Sequence, residues 1–187
     1  MAVNNMPYTH EEHLHRFACW TAARAAQRGW GGGITLAITT ALDETGFREK
    51  LVELYLSAPS AETFDAWHAD RVGELTEALI GQLTNPEKNI YGRIAKVIAI
   101  YIKTVYVSRD PHSPLSKVAH PPIDGILLKE VKEKNTGCKY PPKLGFHWST
   151  FDAAAYQKAL GYLREVNGGK AFWEIEAFWK AASPKSK

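Results

Sequence analysis

The sequence predicts an all-α protein, and three observations carry that expectation. Apolar residues recur at three- and four-residue steps along most of the chain. Helix-starting residues, and glycines and prolines that stop helices, fall at the ends of those runs. Gly33 to Thr40 is the one place for a strand, and its spacing favours helix.

Taken in order, Thr9 and Glu12 form a capping box and Gly29 a stop. The helix between them carries Leu14, Phe17, Ala18, Ala22 and Ala25 on one face. Trp30 and Gly31 to Gly33 make a turn. Ile34, Ala37, Ile38, Ala41 and Leu42 then repeat at helical spacing up to Gly46. A helix from Phe47 to Leu56 follows, broken by Pro59-Ser60. Ser60 caps a helix carrying Phe64, Trp67, Arg71, Leu75 and Leu79, which ends before Asn85-Pro86. Ile90 to Val107 is the most apolar helix, with a wide stripe of Ile90, Ile94, Val97, Ile98, Tyr101, Ile102 and Val105. A loop from Ser108 to Pro121 leads to Pro122, at the first turn of a helix from Ile123 to about Lys134. Asn135 to Ser149 reads as a long loop. Helices from about Phe151 to Val166 and Lys170 to Ala182 close the chain, separated by Asn167-Gly168-Gly169.

A chain of 187 residues fits one domain, or one domain of two lobes. Hydrophobic content of 45% with six Trp supplies a core. The formal charge of +3 permits a nucleic-acid partner without demanding one. Cys19 and Cys138 make neither a disulfide framework nor a zinc spacing, so two reduced thiols in a cytoplasmic protein are expected. Residues 1–10 lack the pattern of a secretion signal, and the longest apolar run, Val97 to Ile102, is too short to span a membrane. His10, His13, His15 and Cys19 do not match a zinc set, and Gly31 to Gly33 lack the Lys-Ser/Thr of a phosphate-binding loop. No metal and no cofactor is expected.

Lys96 and Asp124 are the residues that suggest chemistry. Lys96 shares one side of its helix with Gly92, Ala99 and Lys103, opposite the apolar stripe. From spacing it is either a solvated lysine or a lysine lining a cleft. Asp124, in His120-Pro121-Pro122-Ile123-Asp124, falls in a first helical turn, where the helix dipole favours an anion. It is either an ordinary helix-stabilising acid or a carboxylate set to face positive charge on a reacting sugar. A lysine can attack a sugar carbon when burial lowers its pKa.

The segments Lys96-Val97-Ile98-Ala99-Ile100-Tyr101-Ile102-Lys103 and Pro121-Pro122-Ile123-Asp124 together resemble the helix-hairpin-helix DNA glycosylases. The 8-oxoguanine branch, with its divergent archaeal form, is the most similar. In that family a lysine opens an apolar helix, and an aspartate behind prolines or apolar residues opens the next. Asp124 follows Lys96 by 28 positions, near the longer archaeal spacing. The resemblance covers about Asn85 to Val131, and implies a two-lobed helical fold with this segment as the core of a single domain. It implies that Lys96 is a Schiff-base nucleophile and that Asp124 supports the departing base. The family's hairpin is Gly-rich so that its amides approach a DNA phosphate. This chain has only Gly92, followed by Arg93, for that contact, which makes the hairpin degenerate. The cysteines of an iron–sulfur cluster are missing.

A glycosylase also extrudes its target base and holds it, often between aromatic rings. Trp148, in Phe146-His147-Trp148, and Trp20 are candidates, each otherwise a core residue. Arg16, Arg24 and Arg28 flank Trp20 at four-residue steps, a stripe that tracks phosphates or is simply a solvated face. His112 and His120 flank the loop before Asp124, where they either touch DNA or lie on the surface. The expected function is excision of a damaged or modified base from DNA by a monomer. The base is 8-oxoguanine or, by similarity to small bacterial antiviral glycosylases, a hypermodified phage base such as glucosylated hydroxymethylcytosine. The long Asn135 to Ser149 loop would enlarge the pocket for the latter. The rival expectation is a non-catalytic nucleic-acid-binding or assembly module on the same scaffold.

Overall fold

The computed structural model describes residues 8–27, 30, 33–80, 90–135 and 137–180. These residues form helices and turns, with no strand among those described, and no described helix is long and apolar enough to cross a membrane. The α-helices are α1 (His10–Ala26), α2 (Ile34–Glu44), α3 (Phe47–Leu56), α4 (Ala61–Ile80), α5 (Tyr91–Ile102), α6 (Pro114–Val118), α7 (Gly125–Lys134) and α8 (Ala153–Asn167).

Thr9 caps α1, its hydroxyl accepting from the Glu12 amide at 3.2 Å. Helix α1 ends at Ala26 with Gln27 as cap, and Arg28, Gly29, Gly31 and Gly32 lie outside the described residues. Its buried face is Ala18, Cys19, Ala22, Ala23 and Ala26. That face is rotated from the expected one, so Phe17 is 52% exposed and stacks on the exposed Trp20. Small side chains let the α1 backbone come close to α5. Helices α2, α3 and α4 follow the expected spacing: Ile34, Ala37, Ile38, Ala41 and Leu42 are buried, and the Ser60 hydroxyl accepts from the Thr63 amide at 3.2 Å. The break at Asn85-Pro86 and the hairpin expected beside it lie outside the described residues.

Helix α5 is the axis of the core, packed by α1, α4 and α8. Ten of its twelve residues are buried, Gly92, Arg93 and Lys96 among them. The expected polar side is covered, because residues 148–151 lie over the start of α5 and α7 begins beside Lys96. A helix enclosed all round belongs to the interior, whatever its stripe suggests.

The expected single helix from Ile90 to Val107 changes form at Lys103. Residues Lys103–Val107 are a π-helical turn, closed by the Ser108 amide and hydroxyl on the Lys103 carbonyl at 3.0 and 2.8 Å. The loop expected over Ser108 to Pro121 contains α6, capped by Ser113 and started by Pro114. Asp124 is the N-cap of α7 rather than a member of its first turn. The last expected α-helix is a 3₁₀ segment, Phe172–Phe178. Its buried residues, Phe172 and Ile175, are three apart, which suits a helix of three residues per turn. The Asn167 amide donates to the Lys170 and Ala171 carbonyls and sets the entry. Residues 181–182 of that expectation lie outside the described residues.

Candidate active site

Two glycines place the site. A Cβ on Gly92 would stand 1.9 Å from the Trp148 carbonyl oxygen, and one on Gly125 would stand 2.9 Å from that of Phe146. Backbone cannot yield as a flexible side chain can, so both positions demand glycine. The Gly92 amide also donates to the Phe151 carbonyl at 3.0 Å. The loop from 144 to 151 is thereby fastened onto the first turns of α5 and α7, and Trp148 is carried to Lys96.

The Lys96 Nζ donates to Asp124 Oδ2 at 3.2 Å and lies 4.3 Å from the Trp148 ring centroid. Asp124 Oδ1 accepts from the Leu127 amide at 2.9 Å, the N-cap bond of α7. Trp179 Nε1 donates to Oδ2 at 3.3 Å. The lysine and aspartate side chains are 10% and 14% exposed, so the pair is largely shielded without being sealed. Burial lowers the Lys96 pKa from its ordinary value, while the Asp124 charge and hydrogen bond pull it back up without restoring it. The result is an ammonium easier to deprotonate than a surface lysine, hydrogen-bonded to a carboxylate and held over an aromatic face.

The other predicted contacts separate into two groups. Gly92, Arg93 and His120 are buried and committed within the protein. The Gly92 amide is used by Phe151, which leaves it unavailable to a phosphate. Arg93 donates to the Ala26 carbonyl at 3.0 Å and lies 4.7 Å over the Trp30 ring, tying α5 to the end of α1. His120 is 3% exposed, between Asp65 at 2.8 Å and the Tyr156 hydroxyl at 3.2 Å. None of the three is presented to DNA here, and His112, although exposed, bonds through its amide to Asp110. Arg16, Trp20 and Arg24 stay exposed on α1, as an outer face requires. Arg16 is paired with Glu12 at 2.5 Å, so part of the charge expected to track phosphates is offset locally.

Two features were missed in the sequence. Trp179 lies 55 residues beyond the aspartate it reaches, and its signal was the Trp-rich run Phe172-Trp173-Glu174-Ile175-Glu176-Ala177-Phe178-Trp179. His15 and Cys19 gain Asp43 as a neighbour from α2, a meeting that α1 alone cannot show. Comparison with family models, curated proteins and solved structures finds no match to this chain.

Proposed function

We propose that this protein is a DNA N-glycosylase of helix-hairpin-helix type, two-lobed and acting as a monomer, that excises a damaged or modified base and leaves an abasic site. The observation that carries the proposal is the meeting of the Lys96 amine and the Asp124 carboxylate at 3.2 Å, across 28 positions of chain, in a shielded site. As the bond between sugar and base lengthens, positive charge grows on the sugar, and a fixed carboxylate in a dry site stabilises it strongly. Asp124 has that place. The Lys96 proton passes to Asp124, the freed amine forms a bond to C1′, and the C1′–N bond breaks with its electron pair leaving on the base. Opening of the sugar then gives a Schiff base, from which β-elimination nicks the strand. Where water attacks C1′ instead, Lys96 acts through its charge and the abasic strand stays intact.

The substrate is 8-oxoguanine or a hypermodified phage base such as glucosylated hydroxymethylcytosine. A second reading, a non-catalytic nucleic-acid-binding or assembly module, has one observation in its favour. Asp124 is already spent on an N-cap and an indole, and an ion pair in such a position can serve structure alone.

Base release separates the two. Duplexes with 8-oxoguanine, uracil or alkylated bases, and phage DNA with glucosylated cytosines, are incubated with wild type, Asp124→Asn and Lys96→Gln, scoring abasic sites and nicks separately. Release by wild type that disappears in Asp124→Asn is the expected result, because Asn caps a helix about as well as Asp and leaves α7 intact. Nicking lost alone in Lys96→Gln marks a lyase step. No release from any substrate, with DNA binding retained, establishes the module.

A further inference from the structure

His15, Cys19 and Asp43 form a second cluster, away from the Lys96 side of α5. His15 and Cys19 lie four residues apart on α1, the step that puts two side chains on one helix face. Asp43 comes from the last turn of α2. Their ligand atoms lie within 4.8 Å of one another. His15 Nε2 meets Asp43 Oδ1 at 2.8 Å, Cys19 Sγ lies 3.7 Å from Nε2 and 3.8 Å from Nδ1, and the Tyr101 hydroxyl holds Nδ1 at 2.7 Å.

We propose that His15, Cys19 and Asp43 bind a divalent transition metal of the zinc or cobalt class, with a fourth position open to solvent. Nitrogen, thiolate and carboxylate are the ligand types such ions take, and three protein ligands with one open position is the pattern of a reactive rather than a closed site. The ligand atoms are close enough to converge after small adjustments. Cys19 Sγ lies over the imidazole ring, almost equidistant from its two nitrogens, so its side chain must turn toward Nε2 to share an ion with it. The His15–Asp43 hydrogen bond must open by roughly half an ångström to admit the ion. Tyr101 already does what an outer partner of a metal-bound histidine does, fixing the ring through its other nitrogen. One carboxylate and one thiolate balance a dication.

Two further observations point to a ligand. Asp43 is 55% exposed and, with His15, lines an open groove bordered by Glu12, Arg16 and Arg48, so an ion and a small anion on it have a way in. On the other side of His15, a cavity of about 390 Å³ is lined by Tyr55, Tyr101, Tyr106, Arg48 and Arg109. Cys19 is fully buried beneath His15. The site is independent of the Lys96–Asp124 chemistry.

The full chain is titrated with Co²⁺ under reducing conditions and followed by visible absorption and calorimetry. One equivalent, with d–d bands of a four-coordinate ion and a thiolate-to-cobalt charge-transfer band, is the expected result, and Zn²⁺ displaces it. Cys19→Ser removes the charge-transfer band. Asp43→Asn, at an exposed position that folding tolerates, weakens binding beyond the roughly 10–100-fold that losing an outer partner costs. A His10→Gln, His13→Gln double variant still binds. No stoichiometric binding by wild type, a charge-transfer band that survives Cys19→Ser and so belongs to Cys138, or binding lost with His10 and His13 overturns the proposal.

Discussion

Asp65 and Asp124 each receive a cation from a distant part of the chain, and the protein uses the two meetings differently. Asp65, on α4, takes a fork of two bonds from Arg164 on α8, at 2.7 and 2.6 Å, and a third from His120 at 2.8 Å. Burial alone would raise its carboxyl, but the His120 and Arg164 hydrogen bonds hold it well below the carboxylate range. His120 continues the network to the Tyr156 hydroxyl, and His68 stacks on the Tyr156 ring. Asp124 meets a single amine at a longer 3.2 Å, across an indole face. A planar fork with several acceptors filled locks three elements together and gives no proton away. The Lys96 amine reaches one carboxylate oxygen, and the other two bonds to Asp124 come from the neutral Leu127 amide and Trp179 indole. Each carboxylate accepts three hydrogen bonds, and a bidentate guanidinium on Asp65 against a single amine on Asp124, rather than burial, distinguishes the two clusters.

Breaking the network at Asp65 is the largest expected change. Asp65→Asn leaves Arg164 and His120 against a neutral partner. The cost is at the low end of the roughly 3–5 kcal/mol of a broken buried pair, since Asp65 and Arg164 keep some solvent. Urea unfolding reads it as a lower midpoint at unchanged slope. A shift no larger than that of Lys96→Met would erase the contrast between the two clusters.

Much of that contrast could not be read from the sequence. Local periodicity and caps specified α2, α3 and α4, because those signals lie within a few residues of one another. Lys96 and Asp124 were legible through a resemblance, but the spacing left Lys96 either solvated or lining a cleft, and only the fold brings the two to 3.2 Å. His120 was not legible. A histidine after a proline-bearing loop looks exposed until Asp65, 55 positions earlier, is brought to it. Gly92 misled in an informative way. Its smallness serves the Trp148 carbonyl rather than a phosphate, and nothing in its own neighbours says so.

Lys96→Met tests the looser pair. It removes a desolvated ammonium and keeps the Leu127 and Trp179 bonds to Asp124, so the loss is about 1.5–3 kcal/mol, that of one charged hydrogen bond. Asp124→Ala costs more, because the α7 cap goes with it and the buried amine is left facing Trp148. Equal costs for the two variants would mean that the cap contributes nothing.

Acid sharpens the comparison further. Burial depresses the pKa values of His68 and His120 below the ordinary 6.5, even though Asp65 works against this at both. Between those lowered values and 6.5 the unfolded chain binds more protons than the native one, so stability rises with pH. It is fully present above about 6.5 and is lost as pH falls through the folded values. Asp65, also depressed, adds a later loss below its ordinary 3.8. Urea midpoints should fall from about pH 7 to about pH 5. His68→Phe should flatten that slope; a slope unchanged in this variant would place the titration elsewhere.

The smallest structural effect carries the most specific functional content. Arg24 is exposed on α1, on the face that holds Trp20, and its removal should leave the urea midpoint where it was. If this face follows a DNA backbone, Arg24→Ala removes one phosphate contact and lowers the salt dependence of DNA affinity by about 0.9 in the log–log slope. Arg16→Ala should lower it less, because Glu12 already neutralises that side chain at 2.5 Å. Neither change touches the Lys96–Asp124 pair, so under the proposed function base release at saturating DNA stays as in wild type while affinity falls. Slopes unchanged in both variants would leave α1 an ordinary solvated face and move the search for the DNA surface to another side of the molecule.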